Sequence, residues 1–253
     1  MKKLTILALH LGYGGIERAI SMLANSLADK YEITIVSTYK LYNEPPFILD
    51  KRIKIDYLIE DMIPNKNEFV NSLKKLKFIN TFKEGIKSLK ILKQKKEKMI
   101  NYIKNCKSDI MISTRDIHNE WLGKYGNENI IKIGWEHNHH NNNKKYINKV
   151  VNSVKDLNYF VLVSNELTSF YTEQLKNSNC KCIHIPNTID YIPNEKSLLE
   201  EENIVSVGRL SKEKGYLDLI DVYKIVQSKY PNWKLNIIGD GTERKAIEEK
   251  IKK

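Results

Sequence analysis

The stretch LALHLGYGGIERAISMLANSLADKYEITIVS (7–37) carries the reading on which the fold turns. An apolar run, KLTILALH (3–10), leads into Gly12, Gly14 and Gly15. The following ERAISMLANSLADK places Ile20, Leu23, Leu27 and Ala28 on one helical stripe, and YEITIVSTY (31–39) returns to a strand pattern. A strand apolar almost throughout is one covered on both faces, and a stripe of period 3.6 is the helix that covers it. Strand, glycine turn, helix and strand make a βαβ unit, its second strand parallel to the first, and so begin a doubly wound sheet.

Further strand patterns recur at IKIDYLI (53–59), DIMIST (109–114), IKIGWEH (131–137), YFVLVS (159–164) and KCIHIPN (181–187), several of them separated by helical patterns. Residues 69–107 are dense in lysine: Lys74, Lys75, Lys77, Lys83, Lys87, Lys90, Lys93, Lys95, Lys96 and Lys98. Leu73, Leu76, Ile79, Phe82, Ile86, Leu89 and Leu92 stand there at helical spacing. The pattern predicts either one basic amphipathic helix or two, Gly85 being the point at which two would divide.

The texture changes after Asn187. TIDYIPNEKSLLEEEN (188–203) has Pro193, a run of acids and little periodicity, as a linker has. Strand, helix, strand and helix then follow in NIVSVG, KGYLDLIDVYKIVQSKY, WKLNIIGDG and TERKAIEEKIKK. The division expected is a Rossmann-like domain over 1–187, a linker over 188–202 and a partial second α/β domain over 203–253. Two strands are few for a parallel sheet buried on both faces, so the end at Lys253 reads as a cut through that domain.

Composition narrows the function classes. A net charge of +11 favours an acidic partner: a phosphorylated ligand, an anionic membrane or nucleic acid. No recognised nucleic-acid motif or aromatic stacking platform appears, so nucleic acid is not expected. Cys106, Cys180 and Cys182 fit neither a disulfide framework nor a zinc site, and read as free thiols of a reducing cytoplasm. No run approaches the length of a membrane span, so any membrane contact is expected to be peripheral, at the inner face of the cytoplasmic membrane. The lysines admit two readings, a solvated face or attraction to anionic lipid worth about 1 kcal/mol per basic residue.

A glycine turn at a strand's end lets phosphate approach a helix N-terminus. The dinucleotide fingerprint nevertheless fails here, because Glu17 stands where its third glycine belongs, and no Lys-Ser or Lys-Thr follows to make a nucleoside-triphosphate loop. The loop alone says only that the turn is tight.

The second half says more. VSVGRLSKEKGYLDLIDVYKIVQSKYPNWKLNIIGDGTERKAIEEKI (205–251) resembles the donor-binding half of retaining family 4 glycosyltransferases, with a strand ending in Gly-Arg-Leu, a Lys-Gly, and a second strand running into Gly-x-Gly. GYGGIERAISMLANSLA (12–28), VLVSNELTSFY (161–171) and IHIPNTID (183–190) are similar to that family's opening loop, late strand and approach to the interdomain linker. The resemblance implies an α/β fold of GT-B type, two Rossmann-like domains facing across a cleft, the second incomplete. It implies transfer of a sugar, with retention, from a nucleotide-sugar, in the first place a UDP-sugar, to a glycan or lipid-linked acceptor in surface polysaccharide assembly. No metal and no cofactor beyond the nucleotide-sugar substrate is implied. The other reading is an inactive fragment or an acceptor-binding subunit of a split enzyme.

On that resemblance Gly14 and Gly15 wall the nucleotide-sugar site where a side chain would obstruct it. Arg209 and Lys214, at a strand end and the next helix start, hold the donor diphosphate and stabilise charge on the leaving nucleotide. His137, in GWEHNHHNNNKK (134–145), matches a histidine beside the reacting sugar and is the catalytic candidate, as a polar contact rather than a base. Its alternative is a histidine satisfying loop carbonyls. Adjacent Glu136, His139 and His140 rarely converge on a metal without a distant partner, and none is visible. Arg115, in STRDIHNE (113–120), is a strand-end cation and a candidate contact for an anionic acceptor, with Asp116 beside it as a neutralising partner. Glu17 and Arg18 are expected to cap and pair on the helix's first turns. The family's Glu-x7-Glu signature is missing from the second domain. Its bare spacing at Glu60 with Glu68, and at Glu120 with Glu128, falls in the first domain.

Overall fold

The computed structural model describes residues 1–62, 78–189 and 193–252. Readings that rest on Glu68, Leu73, Lys74, Lys75, Leu76, Lys77, residues 190–192 of the linker or the side chain of Ile79 lie outside them. Contacts divide the chain into two compact units, Met1–Asp190 and Tyr191–Lys253.

Among the described residues the first unit holds seven strands: β1 (Lys2–Ala8), β2 (Tyr31–Tyr39), β3 (Lys54–Ile59), β4 (Ile110–Ser113), β5 (Ile131–Glu136), β6 (Tyr159–Leu162) and β7 (Lys181–His184). They form one sheet in the order β3-β2-β1-β4-β5-β6-β7, with every pairing parallel. Helices α1 (Gly15–Leu27), α2 (Phe78–Asn105), α3 (Asp116–Tyr125), α4 (Lys144–Val154) and α5 (Asn165–Gln174) cover its faces.

The apolar strands explain the layering, because successive side chains leave a strand on opposite faces. Leu4, Ile6 and Ala8 of β1, with Ile33 and Ile35 of β2, pack under Ala19, Ile20 and Ala24 of α1. Leu7 and Val36 point the other way, into a core shared with Met99 and Ile103 of α2, Trp121 and Leu122 of α3, Val150 and Val154 of α4, and Leu167 and Tyr171 of α5. Each such Ile, Leu or Val contributes about 1.5–3 kcal/mol when fully buried. Two helix starts are fixed by side chains, with Asn143 accepting from Tyr146 N–H at 3.1 Å and Ser164 from Leu167 N–H at 3.2 Å.

At Gly85 the lysine-rich region follows the undivided alternative. Helix α2 runs through Gly85 without a break. A glycine in a helix interior costs about 1 kcal/mol relative to alanine but leaves the backbone hydrogen bonds in place, and the burial of Ile91, Met99 and Ile103 farther along anchors the helix.

The second unit pairs two parallel strands, β8 (Asn203–Val207) and β9 (Lys234–Ile238), with helices α6 (Tyr216–Lys229) and α7 (Arg244–Ile251). Leu210, Tyr216, Ile220 and Ile247 make its small core with Ile237. Among the described residues of this unit, the helices cover one face of the sheet. On the other, Val205, Val207 and Ile238 stand more than half exposed.

Strand order places the candidate site. From β1 the chain moves next to β2, on one side; β4, the other neighbour of β1, begins the run in the opposite direction. Loops leaving the ends of β1 and β4 therefore diverge and open the crevice in which doubly wound folds bind ligands.

Candidate functional site

That crevice is built from the His10–Gly15 loop after β1, Thr114 and Arg115 after β4, and Glu136 and His137 at the end of β5. Glu17 is its centre. It lies on the buried stripe of α1 with Ile20, Ser21 and Ala24, and is only 4% exposed. Its Oε1 takes a hydrogen bond from Arg115 Nη2 at 3.0 Å and lies 3.6 Å from His10 Nδ1, while His10 Nδ1 accepts from Gly12 N–H at 3.2 Å. Arg115 thus pairs with Glu17, across 98 residues of sequence, and not with Asp116 as expected. Asp116 instead meets Lys149 at 2.5 Å and the N–H of Ile117. The reason is geometric: Arg115 precedes the first residue of α3 in extended backbone, so its side chain reaches across the crevice while Asp116 faces α4.

Gly14 and Gly15 separate in role. A Cβ on Gly14 would sit 2.0 Å from the second carboxylate oxygen of Glu17, whereas a Cβ on Gly15 would meet nothing within 4 Å. Among this chain's own atoms, then, the glycine requirement is at Gly14, where it makes room for the buried carboxylate. The expected capping role of Glu17 is corrected by the same contact: no side chain caps α1, and the carboxylate is turned inward.

The His137 ring lies tilted by 50° against Trp135, with ring centroids 4.2 Å apart, and its Nε2 is buried with no hydrogen-bond partner among the described residues; Arg115 Nε is in the same state. Burial, helped by the positive charge of Arg115, pushes the His137 pKa down to about 4, so the ring is neutral near pH 7. His10 is also pushed down, by burial first and Arg115 last, against an opposing pull from Glu17. Farther inside, His118 is fully buried against Thr38 and held down at about 3 by burial.

The rest of the histidine-rich loop serves its own shape. Glu136 Oε1 accepts from the N–H groups of His137 and Asn138, both at 2.9 Å, and Tyr146 donates its hydroxyl to Oε2 at 3.0 Å. His139 and His140 accept from the N–H groups of Asn141 and Asn142, which lie in the left-handed region, and His140 stacks on Phe170 at 4.1 Å. Among the described residues no three His, Cys, Asp or Glu gather as a metal set. Beside the crevice an open cavity of about 280 Å³ adjoins Gly15, Ala19, Met22, Trp135 and Pro186. Tyr13, 72% exposed, is held edge-on between Tyr42 and Phe47.

In the second unit the loops after β8 and β9 lie backbone against backbone. Leu210 N–H donates to Asp240 O, and a Cβ on Gly239 would sit 1.9 Å from Gly208 O, so only glycine permits the approach. This contact fixes Arg209 at a strand end and the short helical turn Lys212–Lys214 just beyond it. Both Arg209 and Lys214 are exposed. Glu213 stands with them: its carboxyl is held below the usual range by the Ser211 hydroxyl and its own N–H, with smaller help from Arg209 and Lys214. Asp240 is occupied by Arg244 at 2.8 Å.

Glu17, His10 and Arg244 were missed by reasoning from sequence. For Glu17 a signal existed, since it falls three and four residues before Ile20 and Ser21 on the inward stripe. For His10 and Arg244 there was none.

Comparison with known proteins adds a family to part of the chain. Residues 189–253 match the family described as "Glycosyl transferases group 1". A protein of Haemophilus influenzae described as an uncharacterized glycosyltransferase is 28% identical over 259 residues, covering 100% of this chain and 66% of that protein. The amylovoran biosynthesis glycosyltransferase AmsD of Erwinia amylovora is 34% identical over 93 residues, 35% of this chain and 25% of that protein. Among solved structures, a point mutant of TarM from S. aureus, in complex with fondaparinux, alpha-GlcNAc-glycerol and UDP, aligns with a TM-score of 0.70 at 14% identity, over 100% of this chain and 75% of that one. The chain thus spans about two thirds of the Haemophilus relative. Its fold is the α/β fold of GT-B glycosyltransferases, and the Haemophilus and Erwinia relatives are described as glycosyltransferases, the second of them in amylovoran biosynthesis.

Proposed function

We propose that this chain belongs to a retaining glycosyltransferase of family 4 type that takes a sugar from a UDP-sugar and passes it to a glycan or lipid-linked acceptor. The observation that carries this reading is the glycine-walled pair of strand-end loops in the second unit, which fixes Arg209 and Lys214 inside the segment matching the group 1 family. Two cations at a strand's carboxyl end suit a diphosphate. In the reaction the bond between the anomeric carbon and the diphosphate oxygen breaks, and the acceptor hydroxyl oxygen bonds to that carbon. The proton of the hydroxyl passes to the departing nucleoside diphosphate. Arg209 and Lys214 stabilise the charge gathering on that diphosphate, which removes the need for a metal ion. His137, neutral and unpartnered at Nε2, contacts the sugar or the acceptor, and the crevice with Arg115 receives the acceptor.

Peripheral attachment to an anionic membrane, from the cytoplasmic side, is part of the same proposal. Phe82, Ile86, Leu89 and Leu92 are 53–71% exposed along α2, and Lys83, Lys87, Lys90, Lys93 and Lys96 stand among them. An exposed apolar stripe with basic flanks suits an acidic bilayer surface, and no described helix is long and apolar enough to cross one.

The test is transfer from labelled UDP-hexoses to membranes of the native cells, with the anomeric configuration of the product read by NMR. Transfer giving the α-linked product from an α-linked donor is expected, with kcat/KM falling at least tenfold when Arg209 and Lys214 are replaced by alanine. An inverted product, or transfer indifferent to both residues, would contradict the proposal.

A further inference from the structure

We infer that Glu17 sets the acceptor specificity of the first unit's crevice: by holding Arg115 in a buried ion pair, it fits the crevice to the uncharged hydroxyls of a saccharide and closes it to phosphate and carboxylate groups. The inference rests on reading this crevice as the acceptor side.

Alone, an arginine at a strand end is an anion site. Here its Nη2 is already given to a carboxylate 3.0 Å away that is 5% exposed at its side chain. An anion approaching Arg115 would therefore meet Glu17 as well, and like charges in a sheltered crevice repel strongly. Other charged groups stand near Arg115. Asp116 is paired with Lys149, and Lys95 of α2 is half-buried near Asp116.

Besides Trp135 Nε1, two buried nitrogens here have no hydrogen-bond partner among the described residues, Arg115 Nε and His137 Nε2. A hydroxyl answers both. It accepts from the guanidinium N–H through its oxygen, and it can donate to or accept from the imidazole, whichever tautomer is present. A carboxylate or a phosphomonoester dianion has no proton to give, so it can serve only one tautomer; against inorganic phosphate, which keeps a hydroxyl, the charge of Glu17 is the barrier. Glu17 itself touches neither nitrogen. It is a positioning residue whose charge decides what the guanidinium still offers.

The experiment uses the full chain with labelled histidines, and follows the His137 and His10 ring signals by NMR. Inorganic phosphate and a panel of neutral methyl glycosides are added separately. In the wild type, at least one glycoside is expected to move the His137 signal, and phosphate at tens of millimolar to leave it unmoved. In Glu17→Gln, phosphate is expected to bind the crevice at least tenfold more tightly than in the wild type. Phosphate shifting His137 in the wild type would overturn the inference, as would a Glu17→Gln protein indifferent to phosphate; a silent glycoside panel would overturn the saccharide assignment. Should Glu17→Gln not fold, Glu17→Asp, which keeps the charge, must remain silent to phosphate, and the wild-type result is decisive by itself. No donor or turnover is involved, so this test can fail while the transferase reading stands, and the reverse.

Discussion

The two units begin their candidate ligand loops with the same grammar, a strand running into glycine and then a helix, and reach opposite electrostatic ends. After β1 the charges are turned inward: Glu17 is buried, Arg115 is bound to it, and His10 and His137 are held neutral. After β8 the charges are left in solvent, with Arg209 and Lys214 exposed beside Glu213. The difference lies in what the glycines make room for. Gly14 admits the chain's own carboxylate, whereas Gly239 admits only the neighbouring backbone and leaves the cations free of it. A crevice whose charges are paired from within suits neutral hydroxyls, and an open pair of cations suits a diphosphate.

The contrast breaks most sharply at the buried pair. Glu17→Ala should destabilise the protein by about 3 kcal/mol, the low end of the range for a broken buried ion pair, because Arg115 keeps 27% of its side-chain surface in solvent. Thermal or urea unfolding checks it, and a loss under 1 kcal/mol would place Glu17 among ordinary surface acids. Gly14→Ala should cost about 2 kcal/mol by driving the carboxylate off its partner, within the 0.5–3 kcal/mol span of most substitutions. Gly15→Ala, with nothing near its Cβ, should stay within about 0.5 kcal/mol. Equal effects at the two glycines would mean that room for Glu17 is not what Gly14 provides.

Acid sharpens the comparison differently. The folded His137 titrates at about 4 and His118 at about 3, both below the ordinary 6.5 because of burial. Between these values the unfolded chain binds protons that the folded one refuses, so stability falls as pH drops from 6.5 towards 4. All six histidines lie in the first unit. The melting temperature should therefore drop over that window, and His118→Gln should flatten the slope; an unchanged slope would remove His118 from the account. Smallest of all, Arg209→Ala with Lys214→Ala should leave stability within about 0.5 kcal/mol, as exposed side chains do, in contrast to Glu17.

Why the fold was legible and the crevice less so follows from the same residues. The β1–α1–β2 unit was written in period-two and period-3.6 patterns that burial imposes locally, and the strand ends moved by a residue or two at most. Gly85 left one helix or two open because a glycine weakens a helix without forbidding it. Arg115 was found, but its partner was not: a contact across 98 residues leaves no local period, and the adjacent Asp116 was the nearer explanation. Glu17 was visible only to a reader who took its place on the inward stripe over its charge. The placement of Arg209 and Lys214, just past a strand end and in the turn beyond it, was legible because strand ends announce themselves.

The division of labour between the two regions is tested most directly by calorimetric titration of the full chain with UDP. The account predicts binding that weakens at least tenfold, about 1.4 kcal/mol, in the Arg209→Ala, Lys214→Ala protein and is unchanged in Glu17→Gln. UDP affinity that ignores Arg209 and Lys214 and falls with Glu17 would contradict it.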